Sequence, residues 1–297
     1  MKKAFIQLHI AILLAGFTGV FGKLITLNEG LLVWYRMLIS SILLLLILGS
    51  AKRLEKISRN DFGKIAFVGL LLGIHWVFFY GSIKYSNISV GVVCFSLNGF
   101  FTAIIAPLIN KKKIAVSELL LSCLTLIGIV LIFSFDSKYR VGIVLGVISS
   151  LLAALYTIVS ERLAQSYKSE TITVYQMIGG AAAIGLLIPF YLHFFPVASL
   201  IPSLSDFVYL TMLSLFCTVL LYLLLTQALR KISAFTVNLS FNLEPVYTIA
   251  LAIFFYKENR ELSAPFYIGL SLIILSLVLQ MIKVFAENKQ ARALANQ

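Results

Sequence analysis

Residues 79–107 read FYGSIKYSNISVGVVCFSLNGFFTAIIAP and residues 225–253 read LTQALRKISAFTVNLSFNLEPVYTIALAI. Laid over one another without a gap, they pair Lys84 with Arg230, Phe95 with Phe241, Leu97 with Leu243, Phe101 with Tyr247, Thr102 with Thr248 and Ala106 with Ala252, always at an offset of 146. That offset is close to half of the 297-residue chain. A repeat of this length bears on the architecture before any single motif does. Both stretches are apolar over most of their length, as a bilayer-crossing helix must be, since its backbone polar groups are satisfied internally.

Outward from this pair, apolar runs continue over the whole chain. They predict helices at about 4–26, 31–49, 64–84, 89–109, 116–135, 141–161, 171–194, 207–228, 235–256 and 264–284. Each run has the roughly 20 residues that span the hydrocarbon core. Hydrophobic residues make up 60% of the chain and charged residues only 12%, with mean hydropathy +1.00, so the solvent is lipid. Two copies of five helices must be inverted relative to one another, because an odd number of crossings starts the second copy on the opposite side. Secondary transporters use this arrangement to build two gates around one midplane site. The expected fold is an all-α membrane protein of about ten transmembrane helices, with residues 1–137 and 138–297 forming two inverted five-helix repeats around a central cavity.

The net charge of +12 follows topology rather than a nucleic-acid partner. With the N-terminus inside, seventeen of the 24 basic residues fall on cytoplasmic segments, among them Lys52, Arg53, Lys56, Lys111, Lys112, Lys113, Arg162 and Arg230. Only Lys84, Lys138, Arg140, Lys257 and Arg260 fall outside. This bias puts both termini in the cytoplasm, as expected for a bacterial inner-membrane protein, with the basic loops against anionic headgroups. Lys2 and Lys3 before an apolar run resemble a signal peptide, but the run continues past Phe21 with no small-residue cleavage site and reads as a retained helix. Small residues four apart (Gly69 and Gly73; Gly142, Gly146 and Ser150; Gly179 and Ala183) predict close helix crossings. Gly16, Gly19 and Gly22 could mark a bend, and Pro245 favours a kink in the ninth helix.

A charge near the bilayer centre costs about 2.5–3.5 kcal/mol, so each intramembrane polar residue is a candidate for function. Glu244 is the only carboxylate well inside a span. It either caps and pairs structurally or binds a substrate amine or a proton. Asn98 holds the equivalent place in the first half and is expected near the same cavity. Asn242 shares a face with Asn238, about 120° or more from Glu244 at 100° per residue. His75 and Trp76, with Phe79 and Tyr80 a turn on, could form an aromatic wall with one titratable group, or pack as ordinary core. Arg36 could bind a carboxylate or tie helices together, and Lys23 and Arg36 could each meet Glu29 or reach the interface. The expected substrate-binding set is Glu244, Asn98, His75, Trp76, Tyr80, Arg36 and Asn242.

Cys94, Cys123 and Cys217 sit in apolar runs without metal or disulfide spacing, and no cofactor is expected. His9, His75 and His193 lack the local signature of an intramembrane metalloprotease or serine protease, so an enzyme is not expected.

Several stretches carry a family resemblance. LEPVYTIALAIFFYKE (Leu243 to Glu258), YIGLSLIILSL (Tyr267 to Leu277) and LTLIGIVLI (Leu124 to Ile132) resemble helix patterns of the EamA-type branch of the drug/metabolite transporter superfamily, and Arg36 matches the arginine that often opens its second helix. Ala15, Gly99 and Ser276 depart from it, standing where Trp, Pro and Gly are usual. The resemblance implies a basket of ten helices and export or uptake of amino acids, other metabolites or drugs. The expected function is ATP-independent transport of a small metabolite by alternating access, in the export direction. A passive channel is the alternative. The expected partners are a small-molecule substrate, the lipid bilayer and protons as coupling ion.

Overall fold

The computed structural model describes residues 2–50, 55–111, 113–114, 116–135, 139–260 and 262–295. Lys52, Arg53, Lys112 and Lys138, which enter the charge count, and the expected 137/138 repeat boundary lie outside the described residues.

The chain is an all-α, multi-pass membrane protein. Its helices are α1 (Lys2–Gly16), α2 (Thr18–Leu24), α3 (Glu29–Ser50), α4 (Arg59–Tyr85), α5 (Ile88–Phe95), α6 (Asn98–Ile109), α7 (Val116–Phe135), α8 (Arg140–Ser166), α9 (Ser169–Phe194), α10 (Leu204–Ser214), α11 (Leu221–Leu229), α12 (Ala234–Phe241), α13 (Glu244–Tyr256) and α14 (Ala264–Ala295). A π-helical turn, Leu215–Leu220, joins α10 to α11, and a 3₁₀ turn, Glu258–Arg260, follows α13. Among the described residues, eight stretches are long and apolar enough to cross a membrane, with shorter apolar segments in α7 and α14. The last helix runs to Ala295, past the expected end near 284, because nothing in its polar C-terminal sequence breaks a helix.

Several helix starts are written locally. Asn28, Ser58, Asn87, Ser203 and Ser233 each accept a hydrogen bond from an amide three residues on, supplying a partner for one of the unpaired first-turn N–H groups. Glu55 ties the loop before α4 to α9: its carboxylate pairs with Lys168 and accepts from Thr171 Oγ1 at 2.9 Å, and these contacts hold its pKa below the ordinary value.

α4 lies at the centre, crossed by α8 on one side and α9 on the other. The α4–α9 crossing is as close as the small residues foretold. A Cβ on Gly180 would stand 2.7 Å from the Gly69 carbonyl oxygen, and one on Gly69 would collide with the Gln176 carbonyl. α7 packs on α14, where Ser276 Oγ donates to the Leu121 carbonyl at 2.6 Å. The bend expected in the first span falls at Phe17, between α1 and α2.

Two further spans are broken, and their breaks match residue for residue. α5 ends at Phe95 and α6 starts at Asn98; α12 ends at Phe241 and α13 starts at Glu244, 146 residues later in each case. At the first break Ser96 N donates to Val93 O and Leu97 N to Cys94 O, both at 3.1 Å; at the second Asn242 N donates to Leu239 O and Leu243 N to Ser240 O, again at 3.1 Å. The pairs end alike as well. Lys111 (φ 52°) and Lys257 (φ 56°), also 146 apart, are the two non-glycine residues with positive φ among those described.

The kink expected from Pro245 therefore takes another form. Pro245 occupies the first turn of α13, where its missing N–H has no intrahelical acceptor to lose, and the equivalent break forms without a proline. Asn242 and Glu244 stand on opposite sides of this break, and 100° per residue is a rule for an unbroken helix.

Candidate substrate site

Arg36 sits on α3 and is 1% exposed, although it is a strong cation within a membrane span. Its guanidinium is held from three directions. Nε donates to Thr218 Oγ1 at 2.7 Å, Nη1 to Tyr80 Oη at 2.8 Å and Nη2 to the Cys217 carbonyl at 2.7 Å. The Trp76 ring lies against it, 3.7 Å from Cζ to the ring centroid, so the charge is balanced by dipoles and a π face. The π-helical turn makes this possible, because its wider winding brings the Cys217 carbonyl and the Thr218 hydroxyl to one guanidinium. Ser214 Oγ, just before the turn, donates to the Arg36 carbonyl at 3.1 Å. Gly22 lies so close to the Tyr80 ring that a Cβ would collide with it.

Arg36 and Glu244 line one cavity with Ala15, Thr18, His75, Trp76, Phe79, Phe95, Tyr222 and Phe241. Glu244 is 4% exposed, accepts no hydrogen bond among the described residues and makes no close ion pair with Arg36, the charged group that acts on it electrostatically. A buried carboxylate left without donors is a costly arrangement unless a ligand, a proton or water completes it. His75 Nδ1 stands 2.9 Å from the Ser149 carbonyl, which can only accept. Ser149 Oγ stands 2.8 Å from the same nitrogen, so Ser149 meets Nδ1 with a carbonyl and a hydroxyl together.

A second cavity adjoins the first through His75, Phe95, Tyr222 and Phe241, adding Tyr156, Thr157, Leu225 and Asn238. The rings form two clusters: His75 to Phe95 at 5.4 Å between centroids with Phe79 to Phe95 at 5.8 Å, and Trp76 to Tyr222 at 5.5 Å with Tyr156 to Tyr222 at 5.9 Å. The cavities measure about 40 and 30 Å³. At roughly 10–15 Å³ per water on this measure they hold a few waters and no metabolite.

Of the seven candidate residues, Arg36, His75, Trp76 and Glu244 share the first cavity, and Tyr80 stands behind it as a partner of Arg36. Asn98 and Asn242 are 1% and 3% exposed at the two breaks, each with Oδ1 unpaired, and neither lines a described cavity. The expected contact of Lys23 or Arg36 with Glu29 does not form. Lys23 pairs with Glu258 at 3.1 Å, and Glu29 accepts from Tyr191 Oη at 2.7 Å. The cause is the loop after α2, where Asp206 takes Thr26 N and Thr26 Oγ1, each at 2.7 Å, and draws the chain toward α10. Sequence reasoning did not reach Tyr222, Phe95, Phe241 or the π-helical turn as parts of the site. Phe95 and Phe241 had a signal, since they pair in the repeat and both line both cavities. The turn had none, because it is a register shift rather than a residue type.

A family model described as the EamA-like transporter family matches residues 2–134 and again 140–281. The chain belongs to the EamA-like transporter family. An uncharacterized transporter of Clostridium kluyveri is 26% identical to this EamA-like chain over 248 residues, covering 80% of it and 77% of the relative. The uncharacterized transporter YxxF of Bacillus subtilis is 21% identical over 284 residues, covering 94% and 90%. A protein crystal structure at 16% identity superposes with a TM-score of 0.69 over 95% of this chain and 97% of its own, which extends the likeness to the fold. Membership places the chain among transporters rather than enzymes, and among the described residues no group of three His, Cys, Asp or Glu could hold a metal.

Proposed function

We propose that this EamA-like protein is a secondary transporter that exports a small metabolite, such as an amino acid or a drug-like compound, by alternating access across the bacterial inner membrane. In this reading the ten spans form two inverted repeats, residues 1–137 and 138–297, with both termini in the cytoplasm. Glu244 receives the cationic group of the substrate or a coupling proton, Trp76 and His75 form the wall against its apolar part, and Arg36 with Tyr80 sets the charge of the cavity. Asn98 and Asn242 act at the breaks, where their free acceptors come into use as the cavity widens.

The observation that carries this reading is Glu244, a buried carboxylate without hydrogen-bond donors, facing Arg36 across a cavity too small for a substrate. A site of this kind must change shape to bind and to release, which is what a carrier does and an open pore does not. Counterflow tests it. Proteoliposomes preloaded with a pool of amino acids and amphipathic amines should take up labelled members of that pool faster than empty ones. Equal rates would make the protein a channel or leave it without transport of that pool. Glu244→Gln then separates the two roles. A proton acceptor loses the pH dependence of net flux while exchange survives, whereas a substrate ligand loses affinity for amines in both modes.

A further inference from the structure

Glu258 is an acid that neither the cavity nor the transport reading uses, and it is 0% exposed. It follows Lys257, whose left-handed backbone turns the chain back at the end of α13 and delivers the side chain to the start of α5. Its carboxylate takes four donors. Oε1 accepts from Ile88 N at 3.1 Å and Lys23 Nζ at 3.1 Å; Oε2 accepts from Ser89 N at 3.0 Å and Ser89 Oγ at 2.7 Å. Lys23 also rests 4.5 Å above the Tyr256 ring. α5 is already capped by Asn87, whose amide oxygen takes Val90 N at 2.8 Å, so Glu258 is a second side-chain acceptor at one helix start, and it comes from 170 residues away in sequence. One anion thus clamps the end of α2, the start of α5 and the end of α13.

Among the described residues, no side chain from another helix accepts from the first amides of α12. The start of α12 is held by its own Ser233, which takes Thr236 N at 3.3 Å. The residue 146 before Glu258 is Lys112, which has donors only and cannot accept from helix amides.

We infer that Glu258 is a latch that keeps the outer end of the transport pathway shut: its carboxylate binds the start of α5 and Lys23 in the closed state and releases them when the cavity opens outward. The inference rests on the alternating-access reading and on the orientation that places Lys257 and Glu258 outside. With the outer end latched, opening outward requires this carboxylate to give up its four donors.

The test reads access rather than transport, so it needs no substrate. Full-length protein carrying Ala15→Cys in the cavity wall is reconstituted in one orientation. A membrane-impermeant maleimide is added to either face, and labelling at position 15 is followed by peptide mass spectrometry. The parent should label slowly from the outer face. Adding Glu258→Gln should raise the outer-face rate at least about fivefold, the size expected when a charge-assisted hydrogen-bond set is weakened. Ser89→Ala, which removes one hydroxyl donor and leaves the backbone amides in place, should raise it about twofold and guards against a Glu258→Gln protein that fails to fold. An outer-face rate that neither substitution changes overturns the latch and leaves the transporter reading standing. Comparable labelling of the parent from both faces overturns the latch together with alternating access.

Discussion

The α5–α6 pair and the α12–α13 pair have the same backbone and opposite chemistry. Both break after eight helical residues, both bridge the break with two short-range hydrogen bonds, and both end on a left-handed lysine. Yet Asn98 in one is Glu244 in the other, Gly99 is Pro245, and Lys112 is Glu258. The differences teach that the break is a property of the packed repeat. Proline does not create it, and an acid is not needed to hold it open. The acids were free to be used elsewhere: Glu244 faces the cavity and Glu258 binds the opposite pair.

The largest effect should come from the cation that shares a cavity with the acid of the second pair. Arg36 lines one cavity with Glu244, and Arg36→Met would remove the partner of the Tyr80 hydroxyl and of the Cys217 carbonyl and leave the Thr218 hydroxyl only its bond to the Leu213 carbonyl. The expected loss is about 3 kcal/mol or more, since each unpaired buried group costs roughly 1–3 kcal/mol. Thermal unfolding in detergent reads it, with Arg36→Lys in between because a single ammonium cannot match the three-way geometry. If Arg36→Met melts with the parent, the guanidinium is not a tie between helices, and its role shifts toward substrate.

Next in size is the exchange of the acid between the two breaks. The double variant Asn98→Glu, Glu244→Asn keeps composition and moves the carboxylate away from Arg36 and Trp76. Transport in proteoliposomes should fall at least about tenfold, equivalent to roughly 1.4 kcal/mol in the barrier, while the protein still purifies as a folded species. Retained transport would mean that the two breaks are interchangeable and that the surroundings of Glu244 carry no function.

The smallest effect belongs to the backbone itself. Pro245→Ala should change stability by no more than about 1 kcal/mol, because the proline already sits where no helix hydrogen bond is lost. Gly99→Pro should be tolerated to the same extent. Gly99 does not use positive φ, and the only neighbour a Cβ would meet is Asn242 Nδ2 at 3.8 Å. A large loss in either variant, seen as a fall in melting temperature, would show that the two breaks are held by different means.

Much of the fold was legible because the bilayer leaves few choices. A run such as Leu31 to Gly49 must be a helix when no water is present to satisfy its backbone, and each expected span from the first to the tenth has a helix at its place. The small residues Gly69 and Gly179 announced their crossing for a similarly local reason, since only a missing side chain lets two helix backbones come that close. The chemically unusual residues were legible too. Glu244, Arg36, His75 and Trp76 stand out as polar or amphipathic groups in apolar runs, and they meet in one cavity.

The sequence by itself determined which segments are helical, that the halves echo one another at an offset of 146, and which side chains were too costly to bury without a reason. Only the tertiary structure decided what those side chains do. Whether Arg36 is a ligand or a tie depends on a π-helical turn 180 residues away, and whether Glu258 is a motif residue or a clamp depends on where α5 begins. Local sequence governs propensity and the cost of burial. Pairing between distant segments is governed by packing, and a hydrogen bond at 2.7 Å requires a three-dimensional fit that no spacing along one chain can express.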